Sequence, residues 1–323
     1  MSVTVLAPAT VANMVCGFDV LGFALAEPAD TMHLRLTDTP GVTIINEDDF
    51  DLPTEPTRNV AGGALLALLR EAPGVGIEVR INKAIRPGSG IGSSAASAAG
   101  AVVGANALLG NRFSKEDLVR FAMFGEEVAS GVQHADNIAP CLYGGVTLIR
   151  STAPLDIVPL PTPPLWVTVV HPQIEVKTAD ARAILKRQVA LPAAIRQWGN
   201  VGGLVAGLCL QDYDLIGRSL EDHIVEPVRS ILIPGFAEVK AASRYAGALG
   251  GGISGSGPSI FMLSREEATA RAVAAAMQSV YDRLGIEQFT YVTRMNTEGV
   301  RVVTSPPDPL SSGRGGAVTE ATS

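Results

Sequence analysis

Residues 86 to 100 read RPGSGIGSSAASAAG, with glycines at 88, 90 and 92, serines at 93 and 94, and then a run dominated by alanine. Glycines let a backbone approach a ligand, and the first-turn N–H groups of a helix, with its dipole, attract an anion. The stretch therefore predicts a turn that leads into a small-residue helix and holds phosphate at its mouth. Neither common phosphate signature fits. A P-loop needs G-x-x-x-x-G-K-[ST], and no lysine follows these glycines. A dinucleotide fingerprint needs G-x-G-x-x-G, and counting from Gly88 or Gly90 ends on Ser93 or Ala95. Behind the turn, Gly92, Ala96, Gly100 and Gly104 recur every fourth residue, so one helix face carries almost no side chain and predicts close packing on a sheet. Ser94 offers a hydroxyl to a metal that accompanies the phosphates.

Around this turn, TMHLRLT (31–37) and GIEVRINKAI (76–85) alternate apolar and polar residues. That alternation predicts antiparallel or mixed strands with one wet face rather than a doubly wound parallel sheet. Helices are expected near 59–71, 93–109 and 115–130, the last opened by SKED with a serine cap and acids in its first turn. GGVTLIR (144–150) reads as the closing strand of this half. Five prolines within 151–165 then mark a connection. The second half predicts a strand at 166–170, helices near 178–188, 193–211, 213–223 and 235–246, the strand SIFMLS, a helix of about twenty residues and a final pair of strands, FTYVTRM and GVRVV. This gives an α+β chain with domains at 1–155 and 156–304 and a disordered Pro/Gly/Ser-rich tail over 305–323.

A chain of 323 residues can bury two cores, and its net charge of −7 argues against nucleic acid or an anionic membrane as the main partner. The apolar run around 95–109 is too short and too interrupted to span a bilayer. The start MSVTVLAPAT lacks the basic and apolar regions of a signal peptide. Cys16, Cys141 and Cys209 have no metal or disulfide spacing, so the expected location is the cytoplasm. The four histidines never pair at zinc-ligand spacing.

Three other places can carry chemistry. GEEVASGVQHADN (125–137) brings Glu126, His134, Asp136 and Asn137 together. It is either a solvated helix face ending at Gly131 with a capped turn beyond, or a metal-ligating carboxylate with a second one near a reacting hydroxyl. APATVANMVCGFDVLGFAL (7–25) places Asn13, Gly17 and Asp19 in a polar insertion, either a turn or an amine-recognising loop. GALGGGISGSGPSIF (247–261) is either a helix cap with a bulged strand start or a backbone wall pressed against a ligand.

Taken in order, 7–25, RPGSGIGSSAAS and GGGISGSGP resemble the three motifs of the GHMP superfamily of small-molecule kinases, while HADNIAP and DHIVEPVRSILIPGF are similar to its homoserine kinase branch. The resemblance spans about residues 3 to 303 and implies a two-domain fold: an N-terminal mixed α/β domain with a left-handed βαβ unit and a C-terminal ferredoxin-like α+β sandwich. It implies ATP and Mg²⁺ as cofactors, L-homoserine as substrate, and a homodimer. Ser94 and Glu126 match the metal ligands. Pro87, Gly88, Ser89, Gly90, Ile91, Gly92, Ser93, Ser94, Ala95, Ala96, Ser97 and Asn59 match the ATP site. Asn13, Asp19, His134, Asp136, Asn137 and Gly255 match the homoserine pocket, with Asp136 and Asn137 beside the reacting hydroxyl. Arg182 and Arg229 look like the pair that clamps the substrate carboxylate, with Thr178 one turn before Arg182. One departure stands out: the superfamily usually reads N-L-G-P-G-F-D in its first motif, and this chain reads N-M-V-C-G-F-D over 13–19.

Overall fold

A computed structural model describes residues 2–176 and 178–303; the expected tail at 305–323 lies outside the described residues. The chain runs β1 (Ser2–Ala12), β2 (Leu21–Thr37), β3 (Gly41–Asn46), α1 (Val60–Arg70), β4 (Gly76–Asn82), α2 (Ser93–Leu108), α3 (Lys115–Ser130), α4 (Ile138–Tyr143), β5 (Val146–Thr152) and β6 (Leu155–Leu160). It continues with β7 (Trp166–Pro172), α5 (Thr178–Ala183), α6 (Leu191–Leu210), α7 (Tyr213–Ser219), α8 (Glu226–Arg229), α9 (Phe236–Tyr245), β8 (Gly250–Ile253), β9 (Ile260–Ser264), α10 (Glu267–Leu284), β10 (Gln288–Arg294) and β11 (Arg301–Val303).

The first sheet has the order β11-β1-β2-β4-β3, and β2 is long enough for its first residues, Leu21–Phe23, to pair with β5 as well. Its pairings are antiparallel except β3 with β4, the mixed sheet that the alternation predicts. One face is covered by α1, α2 and α3, with Leu65, Leu68, Val102 and Phe121 packed on Met32, Leu34, Ile77 and Val79. The bare face of α2 lies directly on the strands: a Cβ at Gly100 falls 2.7 Å from the Met32 sulfur, and one at Gly104 falls 2.5 Å from Leu34 Cδ1. Leu36, in the same alternating register, is exposed.

The second sheet, β10-β7-β9-β8, is antiparallel throughout. α9 and α10 cover it through Val239, Val273, Met277 and Tyr281 against Val170, Ile260 and Met262. A separate cluster joins the halves, with Phe23 edge-on to Phe261 at 5.6 Å and Ala9 and Leu21 beside Val167 and Leu204.

Three expectations need correction. The proline-rich segment is not a plain connection, because β6 occupies 155–160 as the outer partner of β5, an edge position in which a proline such as Pro159 is tolerated. The first sheet therefore runs past residue 155. The last two strands do not pair with each other: β10 joins β7, while β11 returns to β1, with Val302 opposite Val5. The helix expected over 178–188 stops at Ala183, and α8, only four residues long, follows α7. No helix among the described residues is long and apolar enough to cross a membrane.

Candidate active site

A cavity of about 350 Å³ is lined by all three glycine-rich segments and by Glu126, His134, Asp136, Asn137, Arg182 and Arg229. At one end lies the turn before α2. Gly88, Gly90 and Gly92 all have left-handed φ angles, +75°, +81° and +70°, which residues with a Cβ rarely adopt. Close approach adds a second demand: a Cβ at Gly92 falls 1.9 Å from Thr10 Oγ1, and one at Gly90 falls 2.5 Å from the Gly257 carbonyl. Within 247–261, Gly255 and the Gly257 carbonyl press on this turn, and Gly255 also lines the cavity. Ser254 and Ser259 secure the contact by donating to the carbonyls of Gly90 and Ser89 at 2.7 and 2.6 Å.

Pro87, Gly88, Gly90, Gly92, Ser93, Ser94 and Ser97 line the cavity; Ser89, Ile91, Ala95 and Ala96 do not. Ser89 and Ile91 anchor the turn through their carbonyls, Ile91 accepting from Thr10 N, while Ala95 and Ala96 are core residues. Asn59 lines the far wall, but its side chain caps α1, accepting from Ala61 N and Gly62 N and donating to Pro53 O. A lysine does lie beneath this turn, with its N–H groups bonded within the protein. Lys83, just after β4, is buried beneath the first turn of α2, ion-paired with buried Asp30, and donates to Ser93 O at 3.1 Å and Ser97 Oγ at 2.9 Å.

α3 supplies Glu126. Its Ser114 capping box and Gly131 terminus match the sequence expectation. Gly125 lets the helix close on its neighbours, since a Cβ there falls 2.4 Å from Val60 O and 3.0 Å from Ala98 Cβ. Glu126 accepts a hydrogen bond from Ser94, and burial nevertheless raises its pKa. Asp136, in the turn between α3 and α4, is held in its neutral form up to about pH 7, first by burial and then by the charges of Asp19 and Glu126. Beside it the Thr10 hydroxyl donates to Asn137 Oδ1 at 2.8 Å, leaving the NH₂ as the end of that amide able to donate.

At the other end, the 13–19 turn is held through Asn13. Asn13 donates to Gly255 O at 2.8 Å and accepts from Asp19 N at 3.0 Å. Asn13, Met14 and Val15 are all left-handed, with φ of 72°, 41° and 66°. Val15 thus holds, with a β-branched side chain, a conformation that favours glycine.

Arg182 Nη2 lies 2.9 and 2.8 Å from the two Asp19 oxygens and 2.6 Å from His134 Nε2. With the guanidinium as donor, His134 is the acceptor and therefore neutral, in keeping with the burial and the Arg182 charge that lower its pKa. Arg229 is buried, donates to Ala181 O and Gly255 O, and has its pKa lowered by burial. The Phe18 ring sits beside both cations, 5.5 Å from the Arg182 guanidinium carbon and 5.0 Å from that of Arg229. Thr178 opens α5, but its side chain lies outside the described residues.

Sequence reading passed over Lys83, Thr10 and Phe18. The signal for Phe18 was its place between Gly17 and Asp19. Lys83 and Thr10 belong to regular strand patterns and carried none.

The GHMP kinases N terminal domain family matches residues 59–145, and the GHMP kinases C terminal family matches 204–283. The homoserine kinase of Chloroherpeton thalassium is 48% identical over 93% of this chain and 99% of its own length. That of Methanocella arvoryzae is 40% identical over 94% and 97%. Among solved structures, the homoserine kinase of Cytophaga hutchinsonii superposes with a TM-score of 0.90 at 52% identity, covering 94% of this chain and 97% of that one. A mevalonate kinase from L. major, at 17% identity and a TM-score of 0.67, shares the fold. The chain belongs to the GHMP kinases, ATP-dependent small-molecule kinases, and among them to the homoserine kinases.

Proposed function

We propose that this enzyme transfers the γ-phosphoryl group of ATP to the side-chain hydroxyl of L-homoserine, giving O-phospho-L-homoserine and ADP in threonine biosynthesis in the cytoplasm. The observation that carries the reading is one cavity with a phosphate turn at one end and, at the other, two arginines and a carboxylate set for a zwitterion. The amides of the Gly88–Ser94 turn, over the α2 dipole, hold the phosphates. Ser94 and Glu126 suit Mg²⁺: they are a hydroxyl and a carboxylate in contact, and no group of three His, Cys or acidic residues among the described residues could hold a metal by itself. Bound there, such an ion would supply charge neutralisation for the transferred group.

Arg182 and Arg229 bind the amino-acid carboxylate, and Asp19, steadied through Asn13, takes the ammonium group. Asn137 and His134 border the hydroxyl. As that oxygen bonds to the γ-phosphorus, the bond to the bridging β,γ-oxygen breaks and ADP leaves with its electron pair. The hydroxyl proton passes to Asp136, whose pKa near 7 suits a general base. Positioning supplies most of the rate. Two copies of the chain form the working enzyme.

ADP release measured with L-homoserine, galactose, mevalonate and shikimate tests the substrate. Homoserine should be preferred by at least a hundredfold in kcat/KM; equal rates for any other alcohol defeat the assignment. A narrower expectation concerns Phe18. Each cation–π contact is worth about 0.5 to 2 kcal/mol, so Phe18→Leu should raise the KM for homoserine roughly tenfold, leave the KM for ATP unchanged and lower the melting temperature by about 2 to 8 °C. Phe18→Tyr should restore it. An unaltered KM in the leucine variant removes the ring from arginine positioning.

A further inference from the structure

Arg229 ends α8, a helix of four residues that begins at Glu226. An acid three residues before an arginine on a helix can pair with it, and here that pairing would engage the guanidinium assigned to the substrate carboxylate. The structure keeps the two apart. Glu226 is 8% exposed and forms an ion pair with Lys240 of α9. Its other oxygen lies against β8, where a Cβ at Gly252 would fall 2.0 Å from it. Gly252 has no left-handed φ, so glycine stands there for the room it leaves and not for its conformation. Arg229, buried as well, donates instead to the carbonyls of Ala181 and Gly255. Yet Glu226 and Arg229 border one narrow cavity of about 10 Å³, together with Asn13, Phe18 and Gly255. Burial raises the pKa of Glu226, and the Lys240 charge works against that rise. A buried ion pair is a poor way to add stability, since apolar side chains of similar volume often serve as well. The pair between α8 and α9 therefore calls for another reason.

We infer that Lys240 is a positioning residue for phosphoryl transfer: it holds the Glu226 carboxylate toward α9, and so leaves the Arg229 guanidinium to the amino-acid carboxylate. The inference rests on the assignment of Arg229 to that carboxylate. Asp222 cannot take over the task, because its oxygens are spent on the backbone, accepting from Ile224 N, Val225 N and Glu226 N. Without Lys240 a buried anion lacks its counter-charge, and the cation three residues along the same helix is Arg229. Pairing there neutralises both groups and suits the fork of a guanidinium. The small cavity that both side chains border gives the carboxylate a way to that partner by a change of rotamer, with α8 in place. The substrate must then break the new pair before it binds, while the phosphate end of the site is untouched. Removing the charge of Glu226 removes the competitor, so a second substitution repairs the first. A pair that merely anchored α8 would behave in the opposite way, each loss adding to the other.

Steady-state kinetics of the full chain test this. Lys240→Met should raise the KM for homoserine roughly tenfold or more, with kcat and the KM for ATP within about threefold of native, the pattern of lost ground-state binding. Lys240→Arg, which keeps the charge, should keep the native KM. Adding Glu226→Gln to Lys240→Met should return the KM for homoserine to within about threefold of native. Circular dichroism establishes that each variant is folded, and Lys240→Gln takes the place of the methionine variant if that one does not fold. A KM within about threefold of native in the folded Lys240 variant overturns the inference. So does a folded double variant whose KM is no better than that of Lys240→Met. Arg229→Gln is the control on the underlying assignment. An unaltered KM for homoserine there removes Arg229 from the carboxylate site, and the inference with it. A raised KM there beside a native one in Lys240→Met rejects the role of Lys240 alone.

Discussion

Replacing Glu126 with alanine lowers kcat by at least about a thousandfold, a loss of roughly 4 kcal/mol of transition-state stabilisation, and leaves the protein folded. The side chain stands where α3 faces the entrance of α2, accepts a hydrogen bond from Ser94 and lines the cavity beside the phosphate turn. The close approach allowed by Gly125 lets α3 pack on α1 and α2 at this point. Burial raises the pKa of Glu126, which means that its charge is costly to the native state. The ionised carboxylate therefore does not serve stability. Glu126→Gln preserves the shape without the charge and should lose activity to a similar degree, with a melting temperature equal to or above that of the native protein. Steady-state kinetics across a Mg²⁺ titration, alongside thermal denaturation, provide the check. A kcat within tenfold of native for either variant would remove Glu126 from the metal site.

The phosphate end of this site was legible because its requirements are local. Left-handed φ at Gly88, Gly90 and Gly92, a bare face on α2 and a capped α3 ending at Gly131 all leave marks within a few residues. The same was true of the amphipathic helices and of the alternating strands. What escaped the sequence depends on distant partners. Lys83 stands at the end of a regular strand pattern, and only the fold reveals that it neutralises Asp30, 53 residues earlier, under the turn where a lysine seemed absent. Phe18 becomes meaningful only when α5 and α8 deliver two arginines to its ring. Residues 247–261 showed their glycine demand plainly, yet its causes lie far apart, Leu220 at Gly250, Glu226 at Gly252 and the Gly90 carbonyl at Gly255, which no count of glycines can name. The pairing of β11 with β1 joins the two ends of the described chain and leaves no local mark at all.

Asp136 should show opposite effects on stability and on turnover. In the unfolded chain its carboxyl has the ordinary pKa of 3.8, and in the native protein burial, then Asp19 and Glu126, raise it to about 7. Below pH 3.8 it is protonated in both states and exacts no cost. As the pH rises through this interval the unfolded chain ionises freely while the native site resists, so stability falls, and above about pH 7 the native carboxylate bears the whole penalty. A rise of about three pKa units corresponds to roughly 4 kcal/mol, an upper bound because water and side chains relax around the charge. Asp136→Asn removes the ionisation. The variant should match the native protein near pH 4, exceed it by about 2 to 4 kcal/mol at pH 8, and lose roughly 10²- to 10⁴-fold in kcat as a missing general base does. Denaturant unfolding at both pH values, set beside the pH dependence of kcat, measures each side. A stability difference that is constant with pH, or that favours the native protein at pH 8, contradicts the buried charge. Unchanged turnover, with the acid limb near pH 7 still present, assigns the proton to another acceptor. The energy that the fold gives up at this one position is thus the measure of how strongly the site holds an ionisable group beside the phosphoryl acceptor.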